Sequence, residues 1–339
     1  MSPTTDPIAD PFGEHPRRLY GRRFHVLGAL FEFQSDSAAL LKLVDAAFAG
    51  LPRHRLPGAT PKLRVNMRLH TAPTLGHANT PPPLQFHSGG TLVCATADAG
   101  NYVVVAPLQR SALVVISRDM LRHPYHARYE LLEFAAYTLA TRCQGLVPLH
   151  AACVAHRGKG ILLIGNSGAG KSTLALCSML AGLELLSEDA VFIEPASLLM
   201  SAVPTFLHLQ PESLRFLGDS HAARSAAKSP LITRRSGVSK HEIDLRSPPW
   251  RISPKAVQLV ATIFLSKRRT SGDPQPMALA SATAMRKLDQ SQTFGRSNAG
   301  WLNLRRKAAA LPTYELCRGE HPALAAGALH TLLATLSQQ

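Results

Sequence analysis

The chain begins with apolar runs that alternate with turn and cap residues. The run FHVLGALFEF, at 24–33, is predicted to form a strand. Ser35 to Ser37 then supply N-cap side chains for a helix over the apolar-periodic stretch 38–51, which Gly50 can end. The first unit is therefore expected to be one strand followed by one helix.

Short β-type runs follow this unit. They are LRVNMRLH, PLQFHS, TLVCATAD, NYVVVAP and SALVVIS. The turn residues Gly89-Gly90 and Gly100-Asn101 separate the later runs, which predicts an antiparallel meander. The stretch 129–143 then has helical periodicity and leads to Gly145, where we place a domain boundary.

A different pattern begins near residue 146. Strands are predicted at LVPLHAACVAH, ILLIG and LELLSEDAVFIE, and helices at STLALCSMLAG and at HPALAAGALHTLLATLSQQ. The alternation of strand and helix is typical of an α/β core. We therefore predict a proline-rich, flexible lead-in over 1–20, a smaller α+β N-terminal domain over 21–145 and an α/β domain over 146–339.

Composition narrows the class of protein. The 339 residues are 45% hydrophobic and 17% charged, which is ordinary for a globular chain and excludes disorder throughout. Lys and Arg number 37 against 22 Asp and Glu, and the segment 215–269, with 12 basic and 3 acidic residues, is predicted to be in part a flexible basic excursion.

No apolar run reaches the roughly 18 residues of a bilayer span and no signal-peptide region begins the chain, so we expect a cytoplasmic protein without a membrane partner. The five cysteines lack metal-ligand spacing, and we expect them to be reduced thiols.

One motif points to a ligand. The segment GNSGAGKS, at Gly165–Ser172, fits the phosphate-binding pattern G-x-x-x-x-G-K-[ST] in full and lies between an apolar strand and a helix. The glycines let backbone N–H groups face phosphate oxygens, Lys171 can reach the β- and γ-phosphates, and Ser172 can bind Mg²⁺. The loop predicts a nucleoside triphosphate site, and ATP and Mg²⁺ are the expected ligands. A GTPase is disfavoured because the N-K-x-D motif is absent, but the sequence does not fix the base. The predicted contacts are Gly165, Asn166, Ser167, Gly168, Ala169, Gly170, Lys171, Ser172 and Thr173.

An acidic pair follows on the next predicted strand. Glu188 and Asp189 arrive directly after the loop's helix, with Asp189 18 residues past Lys171. Such a pair suits phosphoryl transfer, because one carboxylate can hold Mg²⁺ or take the proton of an attacking hydroxyl. We predict Ser172 and Asp189 as metal ligands and Asp189, Lys171 and Glu188 as catalytic residues; the alternative is a solvated strand end.

These motifs together resemble a known family. The stretch 147–195 resembles the catalytic core of bacterial HPr kinase/phosphorylase and, more closely, the HPr-kinase-related proteins, some of which modify ribosomal peptides such as lasso peptides. The matching positions are His150, Gly165, Ser167, Gly168, Gly170, Lys171, Ser172, Ala175, Leu176, Gly182, Leu185, Glu188 and Asp189. The resemblance implies an α/β P-loop kinase domain of the HPr kinase C-terminal type, a serine kinase activity and self-association.

The resemblance also implies individual roles. It makes Asp189 the proton acceptor for the substrate hydroxyl, Lys171 the phosphate clamp and Ser172 a Mg²⁺ ligand. It adds His150 as an active-site residue, although a lone histidine on an apolar strand is more often structural. Glu188 stands where the family usually has an aspartate, which keeps the charge and lengthens the side chain.

The chain departs from the family pattern after residue 195. The signature L-E-I-R-G-x-G, which brings a further metal-binding glutamate, is absent, and LQPESLRFLGDS occupies its approximate place. Glu212 or Asp219 can substitute for that glutamate. The basic residue expected to neutralise charge on the moving phosphoryl group is Lys240, Arg246 or Lys255, and spacing alone does not select one. Because the signature L-E-I-R-G-x-G is absent, HPr itself is disfavoured as the substrate.

Three functions remain open from the sequence. The first is a kinase that phosphorylates a serine or threonine of a small protein or peptide, in its narrower form a lasso-type precursor. The second is a nucleic-acid-dependent NTPase, disfavoured because no aromatic-interleaved basic patch and no later Walker-B-like run occur. The third is a non-catalytic nucleotide sensor, which the intact set of Lys171, Ser172 and Asp189 disfavours.

Overall fold

The computed structural model describes residues 19–75, 80–218 and 220–338. Most of the predicted lead-in lies outside these residues. The described chain is a mixed α/β protein with three sheets. Within it, no helix is long and apolar enough to cross a membrane, and the five cysteines are free thiols.

The first half of the chain forms a seven-stranded sheet in the order β1-β2-β3-β7-β6-β5-β4. The strands are β1 (Tyr20–Val26), β2 (Ala29–Ser35), β3 (Lys62–His70), β4 (Gln85–Gly89), β5 (Leu92–Asp98), β6 (Asn101–Ala106) and β7 (Ser111–Ser117).

The predicted first strand is wrong in one respect, because 24–33 belongs to a hairpin of β1 and β2. Leu27 and Gly28, with φ of 50° and 82°, form the tight turn that the continuous apolar run conceals. The antiparallel meander is confirmed for β4 to β7. β3 instead lies between β2 and β7 and is parallel to both.

The described residues contain eight α-helices, most of which pack on the sheets. They are α1 (Ala38–Phe48), α2 (Pro124–His126), α3 (Phe134–Gln144), α4 (Lys171–Leu180), α5 (His221–Ala227), α6 (Ser281–Ser291), α7 (Trp301–Ala308) and α8 (Pro322–Gln338) in the described residues. A π-helix, Ala127–Glu133, joins α2 to α3. The helices predicted around α1, α3, α4 and α8 are thus confirmed. The segment predicted over 129–143 begins within the π-helix and continues as α3.

The second half of the chain builds two further sheets. Its strands are β8 (Val147–His150), β9 (Ala152–His156), β10 (Lys159–Ile164), β11 (Glu184–Ser187), β12 (Ala190–Glu194), β13 (Leu199–Ser201), β14 (Phe206–Leu209), β15 (Leu231–Thr233), β16 (Ser239–Asp244), β17 (Val257–Arg269), β18 (Met277–Ala278) and β19 (Thr313–Arg318). The larger sheet has the path β11-β9-β10-β17-β13-β12-β8, with β19 parallel to β17 and β18 beside it. The smaller sheet has the order β14-β16-β15.

Two predicted strands are divided in the structure. LVPLHAACVAH breaks at Ala151 into β8 and β9, and LELLSEDAVFIE breaks at Glu188-Asp189 into β11 and β12. β11 pairs with β9, whereas β12 pairs with β8 and β13. The two ends of the sheet path therefore meet at these breaks, where the Ala151 amide donates to the Asp189 carbonyl over 3.0 Å.

The predicted flexible excursion is also corrected. Residues 215–269 contain α5, β15, β16 and β17, and β17 lies between β10 and β19 in the larger sheet. The apolar residues of this segment, among them Ile243, Val257 and Ile263, are buried. Their burial offsets the tendency of the basic residues to stay in solvent.

The two halves of the chain pack against each other. Phe192 of β12 belongs to the apolar core of the first half, with its ring centroid 5.3 Å from that of Tyr137. Thr205 donates to the Ala47 carbonyl over 2.7 Å. Apolar burial and buried hydrogen bonds thus join the halves beside the break at Glu188-Asp189.

Candidate functional site

The glycine-rich loop, Gly165–Ser172, leaves the carboxyl end of β10 and enters α4. A Cβ at Gly165 would lie 2.9 Å from the Ala169 Cβ and 3.2 Å from the Leu265 Cβ, so only glycine fits there. Gly170 precedes the helix with φ of 95°, a conformation that side chains strain. The loop's turn depends on both glycines.

The loop delivers the first turn of α4 and Lys171 to one place. The first amides of a helix have no partner inside it and carry the positive end of the helix dipole. Lys171 is 7% exposed and its Nζ donates to the Gly165 carbonyl over 2.6 Å. Burial lowers the pKa of Lys171, although the charges of Asp189 and Glu188 act to raise it.

The remaining loop residues have local partners. The Ala169 amide donates to the Asn166 carbonyl over 3.0 Å, which closes a turn. The guanidinium of Arg318, at the end of β19, donates to the Gly168 carbonyl. Ser167 stands at the exposed tip of the loop.

Glu188 lies directly against the start of α4. It occupies the break between β11 and β12, is 6% exposed, and its Oε2 accepts from Ser172 Oγ over 2.5 Å. Sequence reasoning paired Ser172 with Asp189 as metal ligands, whereas the structure places Glu188 beside Ser172. Thr173, the next residue, has its Oγ1 3.0 Å from Ser213 Oγ.

His208 holds the other oxygen of Glu188. The His208 backbone amide donates to Oε1 over 3.1 Å, and its Nδ1 lies 2.9 Å from the same atom. Burial alone would raise the pKa of Glu188, but the hydrogen bond and charge of His208 and the hydrogen bond from Ser172 hold that pKa below its ordinary value. Glu188 is therefore an ionised, oriented carboxylate.

Asp189 has a separate set of partners. Its Oδ1 lies 3.0 Å from His150 Nδ1, and its Oδ2 lies 3.5 Å from Arg234 Nη1. Burial opposes ionisation, yet the hydrogen bond from His150 and the charges of His150 and Arg234 lower the pKa of Asp189 well below its ordinary value. Asp189 is ionised at neutral pH.

His150 ends β8 with its ring 56% exposed. Both of its backbone groups are bound by one buried side chain, because Gln292 Oε1 accepts from the His150 amide over 2.8 Å and Gln292 Nε2 donates to its carbonyl over 3.2 Å. The pair His150–Asp189 joins β8 to the break before β12. The structure thus brings His150, Lys171, Ser172, Glu188 and Asp189 together.

Arg234 is the main residue that sequence reasoning missed. Its Nη2 lies 3.8 Å from Glu188 Oε1, and within the described residues its buried Nε and Nη2 have no hydrogen-bond partner. Arg234 ends the β15 side of a turn closed by the Arg234 amide and the Val238 carbonyl. Only the position of this turn in the fold singles Arg234 out from the other basic residues.

The basic and acidic candidates named from spacing have different positions. Lys240, on β16, is close enough to Glu188, Asp189 and Arg234 for their charges to act on it, while burial lowers its pKa. Arg246 instead binds Asp244 and the Ala49 carbonyl at the contact between the halves.

The other candidates do not join the site. Lys255 packs its side chain against Gly158, in the turn between β9 and β10. Glu212 is exposed in the 3₁₀ helix Pro211–Leu217, and Asp219 lies outside the described residues.

A cavity of about 300 Å³ adjoins the acidic pair. It lies between the halves of the chain, and Glu188 and Asp189 form part of its wall. Phe86 and Phe134 from the first half and Phe206 from the second also line it. A group held in this cavity is therefore next to the carboxylates.

The donor set at Ser172 fits a hard cation. A hydroxyl and a carboxylate oxygen meet at 2.5 Å beside a helix N-terminus, and Mg²⁺ binds through one or two such protein oxygens together with phosphate and water. No cluster of three or more His, Cys, Asp or Glu side chains able to hold a metal occurs in residues 19–75, 80–218 and 220–338. The site suits a cation that arrives with phosphate.

Comparisons with known proteins give little further information. No protein-family model and no curated protein match the chain. Among solved structures, the chain is similar to the HPr(Ser) kinase/phosphatase from Coxiella burnetii, with 12% identity, a TM-score of 0.24, and coverage of 56% of this chain and 98% of that one. A TM-score of 0.24 does not establish a shared fold.

Proposed function

We propose that this protein is a Mg²⁺- and ATP-dependent kinase that transfers the γ-phosphate to a serine or threonine hydroxyl of a small protein or peptide. The observation that carries the proposal is the meeting of the glycine-rich loop with two ionised carboxylates. Ser172 binds Glu188 at 2.5 Å, and Asp189 next to it faces His150 and Arg234. A phosphate-binding loop with an ionised carboxylate beside it is the equipment of phosphoryl transfer.

The loop and α4 bind the triphosphate. Backbone amides between Gly165 and Ser172, with the helix dipole, attract the phosphate oxygens. Lys171 Nζ leaves the Gly165 carbonyl, to which it donates at 2.6 Å, and binds the β- and γ-phosphates. Buried at 7% exposure, Lys171 interacts with these charges in a low dielectric, which strengthens the attraction.

Ser172 and Glu188 are the residues that hold Mg²⁺. When bound, Mg²⁺ neutralises charge on the β- and γ-phosphate oxygens. His208 keeps Glu188 oriented through two contacts to Oε1, and Oε2 remains directed at Ser172. The polypeptide thus fixes both protein oxygens before nucleotide arrives.

Asp189 receives the acceptor hydroxyl. As the hydroxyl oxygen attacks the γ-phosphorus, its proton passes to Asp189, and ADP leaves. Bond formation is limited in the loose transition state of phosphoryl transfer, so an ionised carboxylate of low basicity is sufficient to orient the hydroxyl. His150 holds Asp189 in position, and Arg234 places positive charge near the transferring group.

The acceptor is a small protein or peptide, and the narrower candidate is a ribosomal precursor of the lasso type. The resemblance of residues 147–195 to HPr-kinase-related proteins supports this choice. The cavity beside Asp189, at about 300 Å³, has room for a short segment of chain. Cytoplasmic location and self-association belong to the same proposal.

The test is transfer from γ-labelled ATP with Mg²⁺ into the proteins and peptides of a host extract, resolved by mass. Asp189→Asn should cut transfer by at least about 10²-fold and keep nucleotide binding, because it removes the proton acceptor and leaves the loop intact. The exposed Asp273→Asn is the matched control and should transfer normally. Label found only as free phosphate, stimulated by nucleic acid and insensitive to Asp189→Asn, would favour the NTPase instead.

A further inference from the structure

The cavity between the halves is suited to an uncharged, apolar group. Besides the site carboxylates, its wall includes Leu84 and Phe134 from the first half and Val203 and Phe206 from the second. The Arg128 guanidinium lies 4.0 Å from the centre of the Phe206 ring.

The other charged residues of the wall are already paired within the protein. Arg128 binds Glu133 and Glu242, and Glu130 binds Arg235. Burying a charged ligand group against paired charges is costly, whereas an apolar side chain gains from the burial.

An exposed aromatic ring stands at the same cavity. Phe86 is 62% exposed, and its ring centroid lies 5.3 Å from that of Phe134. A single exposed ring is ordinary, but a ring that continues into an apolar cavity forms a contiguous apolar surface of the kind that marks interaction sites. Phe86 thus extends the apolar surface from the cavity to the outside of the protein.

Phe86 belongs to a strand at the end of its sheet. β4 is the last strand of the first sheet, all five of its residues are exposed, and in the described parts of the chain its single strand partner is β5. An edge strand offers a row of N–H and C=O groups to an extended peptide, which can add to the sheet. Such a peptide places alternate side chains on one face.

We propose that the acceptor is an extended peptide that pairs with the outer edge of β4, buries a large apolar side chain in the cavity, and thereby brings a neighbouring serine or threonine hydroxyl to Asp189. This inference rests on the proposed kinase function and defines its acceptor site. The hydroxyl oxygen forms a bond to the γ-phosphorus, the bond from that phosphorus to the β–γ bridging oxygen breaks, ADP departs, and the proton passes to Asp189.

The first test uses synthetic seven-residue peptides with one serine in a glycine background. One series carries Leu, Phe or Trp at each position near the serine, and a matched series carries Asn. Affinity is measured without nucleotide by fluorescence anisotropy of labelled peptides, and transfer is measured with ATP and Mg²⁺. The best apolar position should bind about 10- to 100-fold more tightly than its Asn counterpart, as expected for burying one large apolar side chain.

Two matched pairs of variants locate the site on the protein. Leu84→Trp fills the cavity and should abolish the preference for the apolar peptide, whereas Leu302→Trp, at a position 77% exposed on α7, should keep it. Phe86→Ala removes an exposed ring without disturbing the core and should weaken peptide binding about 10-fold. Phe294→Ala, at a position 76% exposed, is its control and should bind as the wild type does.

Backbone pairing is tested on the peptide itself. N-methylation at alternate nitrogens of the best peptide removes the donors for one edge, so one of the two methylated registers should lose binding and the other should keep it. Equal binding of both registers would overturn pairing with β4.

The outcomes separate this inference from the proposed function. Phosphorylation of peptides regardless of neighbouring residue, unaffected by Leu84→Trp and Phe86→Ala, would keep the kinase and overturn the docking site. Apolar peptide binding that Leu84→Trp abolishes and Phe86→Ala weakens, with no transfer in any peptide, would keep the docking site and remove the kinase. The absence of any apolar preference in binding would overturn the docking site in either case.

Discussion

Two adjacent acids at one strand break have different surroundings and therefore different chemistry. Glu188 is 6% exposed and points to Ser172 and His208, whereas the Asp189 side chain is 26% exposed and faces His150 and Arg234. The turn that Ser187 closes lets these consecutive side chains reach different partners. Glu188 contacts the start of α4, whereas Asp189 contacts β8 and the turn after β15, and both line the cavity.

Arg234 leads to a prediction about charge. Under the proposed kinase function, Arg234→Gln should lower transfer by about 10²-fold or more, because its guanidinium would stabilise charge on the transferring group. The same change should raise the pKa of Asp189, whose ionisation the Arg234 charge favours, so the acidic limb of the pH–rate profile should move to higher pH. An acidic limb that stays in place while transfer falls would contradict the electrostatic role. Arg306→Gln, on the exposed face of α7, is the control.

The residues of the site differ in how far sequence could locate them. Gly165, Lys171 and Ser172 lie in a local motif whose spacing places them on one loop. The distance of Glu188 from the loop along the chain predicts that it lies near the loop. That Glu188, and not Asp189, contacts Ser172 depends on the break after Ser187. His208 and Arg234 carry no motif, and tertiary packing alone brings them to the acids.

At the scale of elements, hydrophobic patterning located most strands but not their breaks. LELLSEDAVFIE is apolar on both sides of Glu188-Asp189, because both β11 and β12 are buried in the larger sheet. The side chain of Ser187 makes the turn, since its Oγ donates to the Ala190 carbonyl over 2.7 Å and accepts from two following amides. In the sequence alone, a serine between two apolar runs does not indicate such a turn.

The π-helix contributes the buried charge that connects the halves. Arg128 is 4% exposed and binds Glu133 and Glu242. Arg128→Ala should therefore lower the free energy of unfolding by about 3–5 kcal/mol, since it leaves the buried Glu133 carboxylate without its cation and leaves Glu242 with His208 as its remaining partner.

Urea unfolding measures this loss. Arg64→Ala is the control, because Arg64 is 58% exposed and its nearest carboxylate oxygen lies 4.0 Å away; we expect its loss to be about 0–1 kcal/mol. Equal losses in the two variants would show that the buried cluster does not stabilise the contact between the halves.

At the scale of the whole molecule, a continuous network runs from the site to the first half of the chain. Glu188 contacts His208, His208 Nε2 lies 3.2 Å from Glu242 Oε1, and Glu242 binds Arg128. Burial alone would lower the pKa of His208, but its hydrogen bonds to Glu188 and Glu242 raise it above the ordinary value. The folded structure thus favours the protonated form of His208.

The network predicts a pH-dependent stability. A histidine whose pKa is higher in the folded than in the unfolded state contributes stability that is fully present below about pH 6.5 and is lost as pH rises through the folded pKa. Stability of the wild type should therefore fall over that range, and His208→Asn should remove this part of the fall. Denaturant unfolding at a series of pH values measures it; identical slopes in the two proteins would assign the fall to other groups.

The hydrogen bonds of Gln292 also have a consequence for assembly. β8 is an end strand of the larger sheet, and Gln292 and Asn298 occupy the backbone groups of His150 and Leu146 that would otherwise face solvent. A capped strand cannot serve as a template for another sheet, which protects the protein from edge-to-edge aggregation at the margin where His150 lies. Growth of the sheet by a further chain is thereby directed away from His150.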